Sequence, residues 1–100
     1  MDNLKLITRI AEIEGLEFTV DNGVVYTKQL NDKYDSNIPM PYDPMDDGVN
    51  HRLMIKYQVQ LGHENPDYSF VQCEHDVVRF IVGWSPNRAI LLVIEAAHSD

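Results

Sequence analysis

The stretch LEFTVDNGVVYTK, residues 16–28, decides the fold class of this chain. The runs on either side of Asn22-Gly23 are rich in β-branched and aromatic residues, and the first of them alternates between apolar and polar side chains. An Asn-Gly pair between two such runs is the strongest short-range signal for a hairpin. The stretch therefore predicts two antiparallel β-strands joined by a tight turn.

An amphipathic helix is predicted immediately before this hairpin. Apolar residues at positions 4, 7, 10, 11 and 13 have the spacing of one helix face. Asp2 is placed to cap the start of that helix, and Gly15 is placed to close its end.

Residues 29–43, which follow the hairpin, are rich in Asn, Asp, Pro and Ser and predict a long surface loop. Asp43-Pro44 then predicts the start of a second helix, with Asp43 as its N-cap and Pro44 in its first turn. The predicted buried side chains of this helix are Met45, Val49, Leu53 and either Met54 or Tyr57.

The second half of the chain predicts three strands and a final helix. The strands are expected at residues 58–63, 68–73 and 77–84, and the helix is expected after Ser85-Pro86. Residues 89–97 are apolar nearly all the way round a helix, so this helix is either central to the core or covered by another chain. The sequence thus predicts a single α+β domain over residues 1–100, an antiparallel sheet covered by helices in the order α-ββ-α-βββ-α.

Charge limits the classes of partner. The net charge is −8, with five Asp against one Lys in residues 32–47 and four acids without any Lys or Arg in residues 64–76. Such a surface disfavours nucleic acid and anionic membranes and suits a basic surface on another protein, or it serves solubility alone. A single cysteine and an N-terminal segment without a clean apolar run predict a cytoplasmic protein.

Three segments resemble one known family. They are IAEIEGL at residues 10–16, YDPMDDG at residues 42–48 with the helix that follows it, and PNRAI at the start of the last helix, residues 86–90. Together these segments are similar to the phage ABA-sandwich domain family, in which a sheet lies between helical layers. The resemblance implies a phage or prophage accessory protein in the host cell, and it implies no established activity.

No constellation predicts catalysis or a bound metal, so a non-enzyme without cofactors is expected. Asp43, Asp46 and Asp47 lack the alternate spacing of a calcium loop and are interpreted as acids of a first helical turn. A zinc site would require Cys73, His63 and His75 to converge, and the pattern has no second ligand pair. A nucleophilic site at Cys73, His75 and Asp76 is disfavoured because neighbours in a strand point to opposite faces.

The sequence favours a protein that binds a host protein with a basic surface, as an inhibitor of a nucleic-acid-handling defence complex of the CRISPR type that acts by acidic mimicry. The predicted partner-binding residues are Asp32, Tyr34, Asp35, Met40, Tyr42, Asp46 and Asp47. One alternative is a nucleotide-sequestering module that gathers Arg52, Lys56, Arg79 and Arg88. Another is a homo-oligomeric structural protein, for example a homodimer through the C-terminal helix. Trp84 is interpreted as either a core or edge anchor or an exposed hot spot.

Overall fold

A computed structural model describes residues 2–28 and 39–99 of the chain. The described residues divide into two compact units, one within Met1–Asp43 and the other within Pro44–Asp100. Their helices and strands confirm the predicted α+β class and the order α-ββ-α-βββ-α, with one short strand added before the second helix. The strands form two antiparallel sheets of three strands each, one in each unit.

The first unit opens with the predicted helix, α1, which spans Asn3–Ile13. The Asp2 carboxylate accepts a hydrogen bond from the Lys5 backbone N–H at 2.8 Å, which satisfies one of the donors that a helix start leaves unpaired. Gly15 follows the C-cap with a φ of +70°, the left-handed conformation that glycine adopts without steric cost. Both predicted ends of this helix are therefore confirmed.

The predicted hairpin consists of β1, Phe18–Asp21, and β2, Val24–Thr27. Asn22 and Gly23 have φ angles of 50° and 75°, as a type I′ turn requires. Helix α1 packs on β2 and contributes most of the buried apolar side chains of this unit. The buried residues of α1 and β2 are Leu6, Ile10, Ala11, Val25 and Thr27.

Part of the predicted loop at residues 29–43 is a strand, and the loop prediction is wrong there. Met40–Pro41 forms β3, which pairs antiparallel with β2. The Tyr42 backbone N–H continues this pairing by donating to the Val25 carbonyl at 2.8 Å. Proline is compatible with such a short strand because the strand lies at a sheet edge, where the missing N–H is not needed. Residues 29–38 lie outside the described part of the chain.

The second unit begins with α2, Asp47–Lys56, which starts later than predicted. Its N-cap is Asp46, whose carboxylate accepts from the backbone N–H groups of Gly48 and Val49 at 3.1 and 3.4 Å. Asp43 was the predicted cap, but the chain after it first makes a turn, so its side chain precedes the helix start. The prediction that Leu53 is buried is confirmed, whereas the second buried residue of α2 is the polar Asn50.

Three strands follow, β4 at Gln60–His63, β5 at Tyr68–Cys73 and β6 at Asp76–Ile81, in the antiparallel order β4-β5-β6. The last helix, α3, spans Asn87–Ala97 and contacts β5, β6 and α2. Contact with a sheet and with a second helix explains why α3 is apolar nearly all the way round. Its buried residues are Ala89, Ile90, Leu91, Val93 and Ile94.

Candidate functional site

The strand β6 has one open side among the described residues. Val82 donates to the Asp67 carbonyl at 3.0 Å, and this pair continues the register in which Ile81 lies opposite Tyr68. Hydrogen-bonded pairs alternate along an antiparallel ladder. The odd-numbered residues of β6 therefore turn their backbone N–H and C=O groups away from β5. These residues are Val77, Arg79 and Ile81.

A groove of about 270 Å³ runs between this open side and helix α3. We call this cavity the Trp84 groove. Side chains from β6 and α3 supply its apolar wall, and Trp84 and Arg88 lie at its border. The apolar residues concerned are Val78, Phe80, Ala89 and Leu92.

Trp84 is the most exposed of the large apolar side chains in the described residues, with 68% of its surface accessible. It lies in the turn between β6 and α3, where its backbone N–H donates to the Ile81 carbonyl at 3.1 Å. The Ser85 hydroxyl accepts from the Asn87 N–H at 3.4 Å, which anchors the other end of this turn at the start of α3. Trp84 is therefore held on a defined turn while its ring faces solvent.

The charged side chains that line the groove are basic, in a chain whose net charge is −8. Arg79 and Arg88 line it, and none of the described residues that line it is an Asp or a Glu. Arg79 Nε lies 2.8 Å from Glu64 Oε2, in an ion pair whose arginine side chain is 68% exposed. An exposed ion pair of this kind is weak, so an incoming carboxylate can compete for the guanidinium.

A second, polar cavity of about 420 Å³ lies in the same unit, next to the end of α2. Three glutamines line it, together with Lys56, Tyr57 and His98. Gln58, one of these glutamines, has a φ of 53°, a conformation that favours glycine. Its N–H donates to the Ile55 carbonyl at 3.2 Å, and the Val59 N–H donates to the Met54 carbonyl at 2.9 Å. This is the Schellman arrangement, in which glycine is the usual residue.

Cys73 borders the polar cavity but is poorly suited to act as a nucleophile. The thiol is buried, and Sγ donates to the Tyr57 carbonyl at 3.4 Å. Burial raises the pKa of the Cys73 thiol, and the carboxylates of Glu74 and Asp76 raise it further. The thiolate, which is the reactive form, is therefore disfavoured.

One Ser-His pair is present that the sequence did not indicate. Ser69 Oγ lies 3.0 Å from His63 Nδ1, because the two residues face each other across β4 and β5. Ser69 is buried, and among the described residues no acid forms a hydrogen bond with this histidine. The pair lacks the accessible nucleophile and the orienting acid of a catalytic triad. Within residues 2–28 and 39–99, no group of three or more His, Cys, Asp or Glu could hold a metal ion.

The residues predicted to bind a partner have different surroundings. Asp32, Tyr34 and Asp35 lie outside the described residues. Met40 is exposed on β3, whereas Tyr42 is buried. Asp46 caps α2, and Asp47 Oδ1 accepts from Asn87 Nδ2 at 2.7 Å. Their role in binding stays a prediction.

The four predicted cations do not form one site in the described structure. Arg79 and Arg88 line the Trp84 groove, Lys56 lines the polar cavity, and Arg52 lines neither of the two. Sequence reasoning did not find the groove, because it depends on which strand lies at the sheet edge. The exposed Trp84 was the one signal that could have indicated it.

Comparison with known proteins found no family model, no curated protein and no solved structure that matches this chain. Among the described helices, none combines the length and the apolar character that crossing a bilayer requires.

Proposed function

We propose that this chain is a non-catalytic module that binds another protein through the Trp84 groove. The observation that carries the proposal is the exposure of Trp84 beside an apolar cavity. A tryptophan that faces solvent contributes little to its own fold, and tryptophan and arginine are the residues most enriched among binding hot spots. Trp84 and Arg88 border the same groove.

The surface around the groove supports the same function. Tyr68 and Ile81 are direct partners in the β5–β6 register and lie on one sheet face, with 45% and 44% of their surfaces exposed. Val77, on the same face, is 50% exposed. Adjacent exposed apolar side chains such as Tyr68 and Ile81 indicate an interaction site, whereas single exposed apolar residues carry no such meaning.

The likeness to the phage ABA-sandwich family supports a host protein as the partner, and with it a place in the host cytoplasm. The charge of −8 supports a partner with a basic surface, because long-range attraction accelerates its encounter with this chain. The sharper form of this proposal is inhibition of a nucleic-acid-handling defence complex by acidic mimicry. In that form binding weakens as salt rises, and it also weakens in the Asp32→Asn and Asp35→Asn variants.

Site-specific photo-cross-linking tests docking at the groove. The photoreactive residue p-benzoylphenylalanine replaces Trp84 in one protein and Ile55 in a matched control. Ile55 is 64% exposed on α2, so the two positions are similarly accessible and belong to the same unit. In lysate of the host, we expect one protein to cross-link at position 84 and not at position 55. The purified partner must then bind the unmodified chain and lose affinity for the Trp84→Ala variant. The proposal is contradicted by equal cross-linking at positions 84 and 55. It is also contradicted if the partner binds the unmodified chain and the Trp84→Ala variant with equal affinity.

A small polar ligand in the cavity beside α2 is a second candidate function. The observation in its favour is Gln58, a non-glycine residue in a conformation that costs about 1 kcal/mol relative to glycine and whose side chain lines the cavity. Residues in unfavourable conformations cluster at binding sites. Native mass spectrometry of the chain isolated from its host tests this candidate. A bound small molecule that the Gln58→Gly variant loses supports it, and an unliganded mass spectrum removes it.

A further inference from the structure

We infer that the open side of β6 accepts an extended, acidic segment of the partner as a fourth strand of the β4-β5-β6 sheet. This inference rests on the proposed function and names the kind of segment that docks, which is separate from the basic surface assigned to the same partner. Three features of the described residues carry it, namely the free backbone groups of β6, the apolar groove beside them, and the arginines at that groove.

The first feature is the length and composition of the edge. Six residues of β6 pair with β5, and three of them, Val77, Arg79 and Ile81, direct their backbone groups away from β5 at regular intervals. The Ile81 carbonyl already accepts from the Trp84 N–H, so an added strand pairs with the other outward groups. Proteins protect such edges from pairing by means of prolines, bulges or several charges, because an open edge is a template for another strand. Between Val77 and Ile81, β6 contains one charged residue, Arg79, and no proline. The opposite edge, β4, is shorter, has four residues and includes Gly62.

The second feature fixes where the side chains of an added strand would go. Side chains alternate between the two faces of a sheet, so an added strand directs every second residue toward α3. On that side it meets the Trp84 groove, where Val78 and Phe80 from β6 lie near Leu92 from α3. Apolar side chains fit these positions. The remaining residues of the added strand lie on the other sheet face, beside Arg79.

The third feature is charge. On the outer face an acidic residue opposite Arg79 would form a cross-strand pair, and such pairs stabilise a sheet by about 0.2–1 kcal/mol. Arg88 adds a second positive charge at the border of the groove. Strand β6 of a second copy does not supply the acid, because residues 77–81 contain none. The segment that fits is therefore apolar toward the groove and acidic on the outer face, and the proposed function assigns it to another protein.

Amide hydrogen exchange with a defined probe tests strand addition. The probe is a synthetic peptide of about ten residues that alternates isoleucine and glutamate, and its control replaces every glutamate by lysine. We expect the glutamate peptide to slow exchange at the amides of Val77, Arg79 and Ile81 by about tenfold or more. The amides of Val78 and Phe80, which already point toward β5, should change little. Arg79→Glu should reverse the preference between the two peptides.

Three results overturn the inference. They are no binding of the glutamate peptide at millimolar concentration, binding without slower exchange at the three outward amides, and equal binding of both peptides. Failure of strand addition can be distinguished experimentally from failure of the proposed function. If position 84 cross-links a partner specifically while the outward amides exchange freely in that complex, docking at the groove stands and strand addition is wrong.

Discussion

Asn50 Nδ2 lies 3.0 Å from the backbone oxygen of Asn87, and this hydrogen bond joins the middle of α2 to the first residue of α3. The same amide group also donates to the Pro44 carbonyl at 3.0 Å. The side-chain amide group of Asn87 in turn donates to the Met45 carbonyl at 2.8 Å and to the Asp47 carboxylate. Two asparagines thus fasten the start of α2 to the start of α3, close in sequence to the turn that holds Trp84.

Replacing Asn50 by leucine should lower the free energy of unfolding by about 2 kcal/mol. Asn50 is buried, and its loss leaves the buried Pro44 carbonyl and the part-buried Asn87 carbonyl without this donor. Urea denaturation measures the change. The control is His51→Ala, an exposed position on the same helix, for which we expect a change within about 0.5 kcal/mol. Equal stability of the two variants would show that the asparagine bonds contribute nothing.

Gln58→Gly should stabilise the protein by about 1 kcal/mol, because it relieves the left-handed conformation at the end of α2. Gly15→Ala is the matched control, since Gly15 has the same position and the same pair of hydrogen bonds at the end of α1. Gly15→Ala should destabilise the protein by about 1 kcal/mol, because alanine disfavours the left-handed conformation that Gly15 adopts. Thermal and urea unfolding measure both variants. A loss of stability in Gln58→Gly would mean that the glutamine side chain makes contacts that outweigh its strain.

Alkaline pH should destabilise the protein in part through Cys73. The folded-state pKa of this thiol is raised by burial and by two neighbouring carboxylates, so the folded state holds the proton longer than the unfolded state does. The resulting stability is complete below the unfolded pKa, about 8.5, and declines as pH rises toward the folded pKa. Urea denaturation at successive pH values should therefore show a smaller alkaline decline for Cys73→Ala than for the unmodified chain. Parallel curves for the two proteins would exclude this contribution.

Thr27→Val should leave stability unchanged or raise it by up to about 1 kcal/mol. Thr27 is fully buried in β2, and its hydroxyl is the only side-chain polar atom among the described buried residues that has no hydrogen-bond partner. Valine has nearly the same shape and removes the cost of a desolvated hydroxyl. Thr27→Ser is the contrasting variant, because it keeps the hydroxyl and removes a buried methyl group. A strongly destabilised Thr27→Val protein would reveal a hydrogen bond at this hydroxyl.

The sequence predicted those elements whose signals are local. Asp2 and Gly15 delimit α1 by their own side-chain and backbone preferences, and Asn22-Gly23 specifies the hairpin turn without help from distant residues. The start of α2 was missed because Asp43 and Asp46 are both plausible N-caps, and the turn at Pro44 and Met45 decides between them. Local preference alone does not distinguish two such candidates.

The candidate site was missed for a different reason. Val77, Arg79 and Ile81 are candidate binding groups only because β6 lies at an edge of the described sheet, and strand order is a property of the whole unit. Asn50 was not among the predicted buried residues of α2, because its hydrogen-bond partner, Asn87, is far along the chain. Trp84 was compatible with either a core or a surface position. Its exposure depends on the length of β6, which ends at Ile81 and not at Trp84 as predicted.

Docking at the groove is tested most directly by two affinities of the cross-linked partner. One is its affinity for the Trp84→Ala variant, and the other is its affinity for the Ile55→Ala variant. Both side chains are largely exposed, so each substitution should change the free energy of unfolding by no more than about 0.5 kcal/mol. We predict that Trp84→Ala weakens binding by at least about thirtyfold, the equivalent of about 2 kcal/mol, whereas Ile55→Ala binds like the unmodified chain. Equal affinities of the two variants would contradict docking at the Trp84 groove.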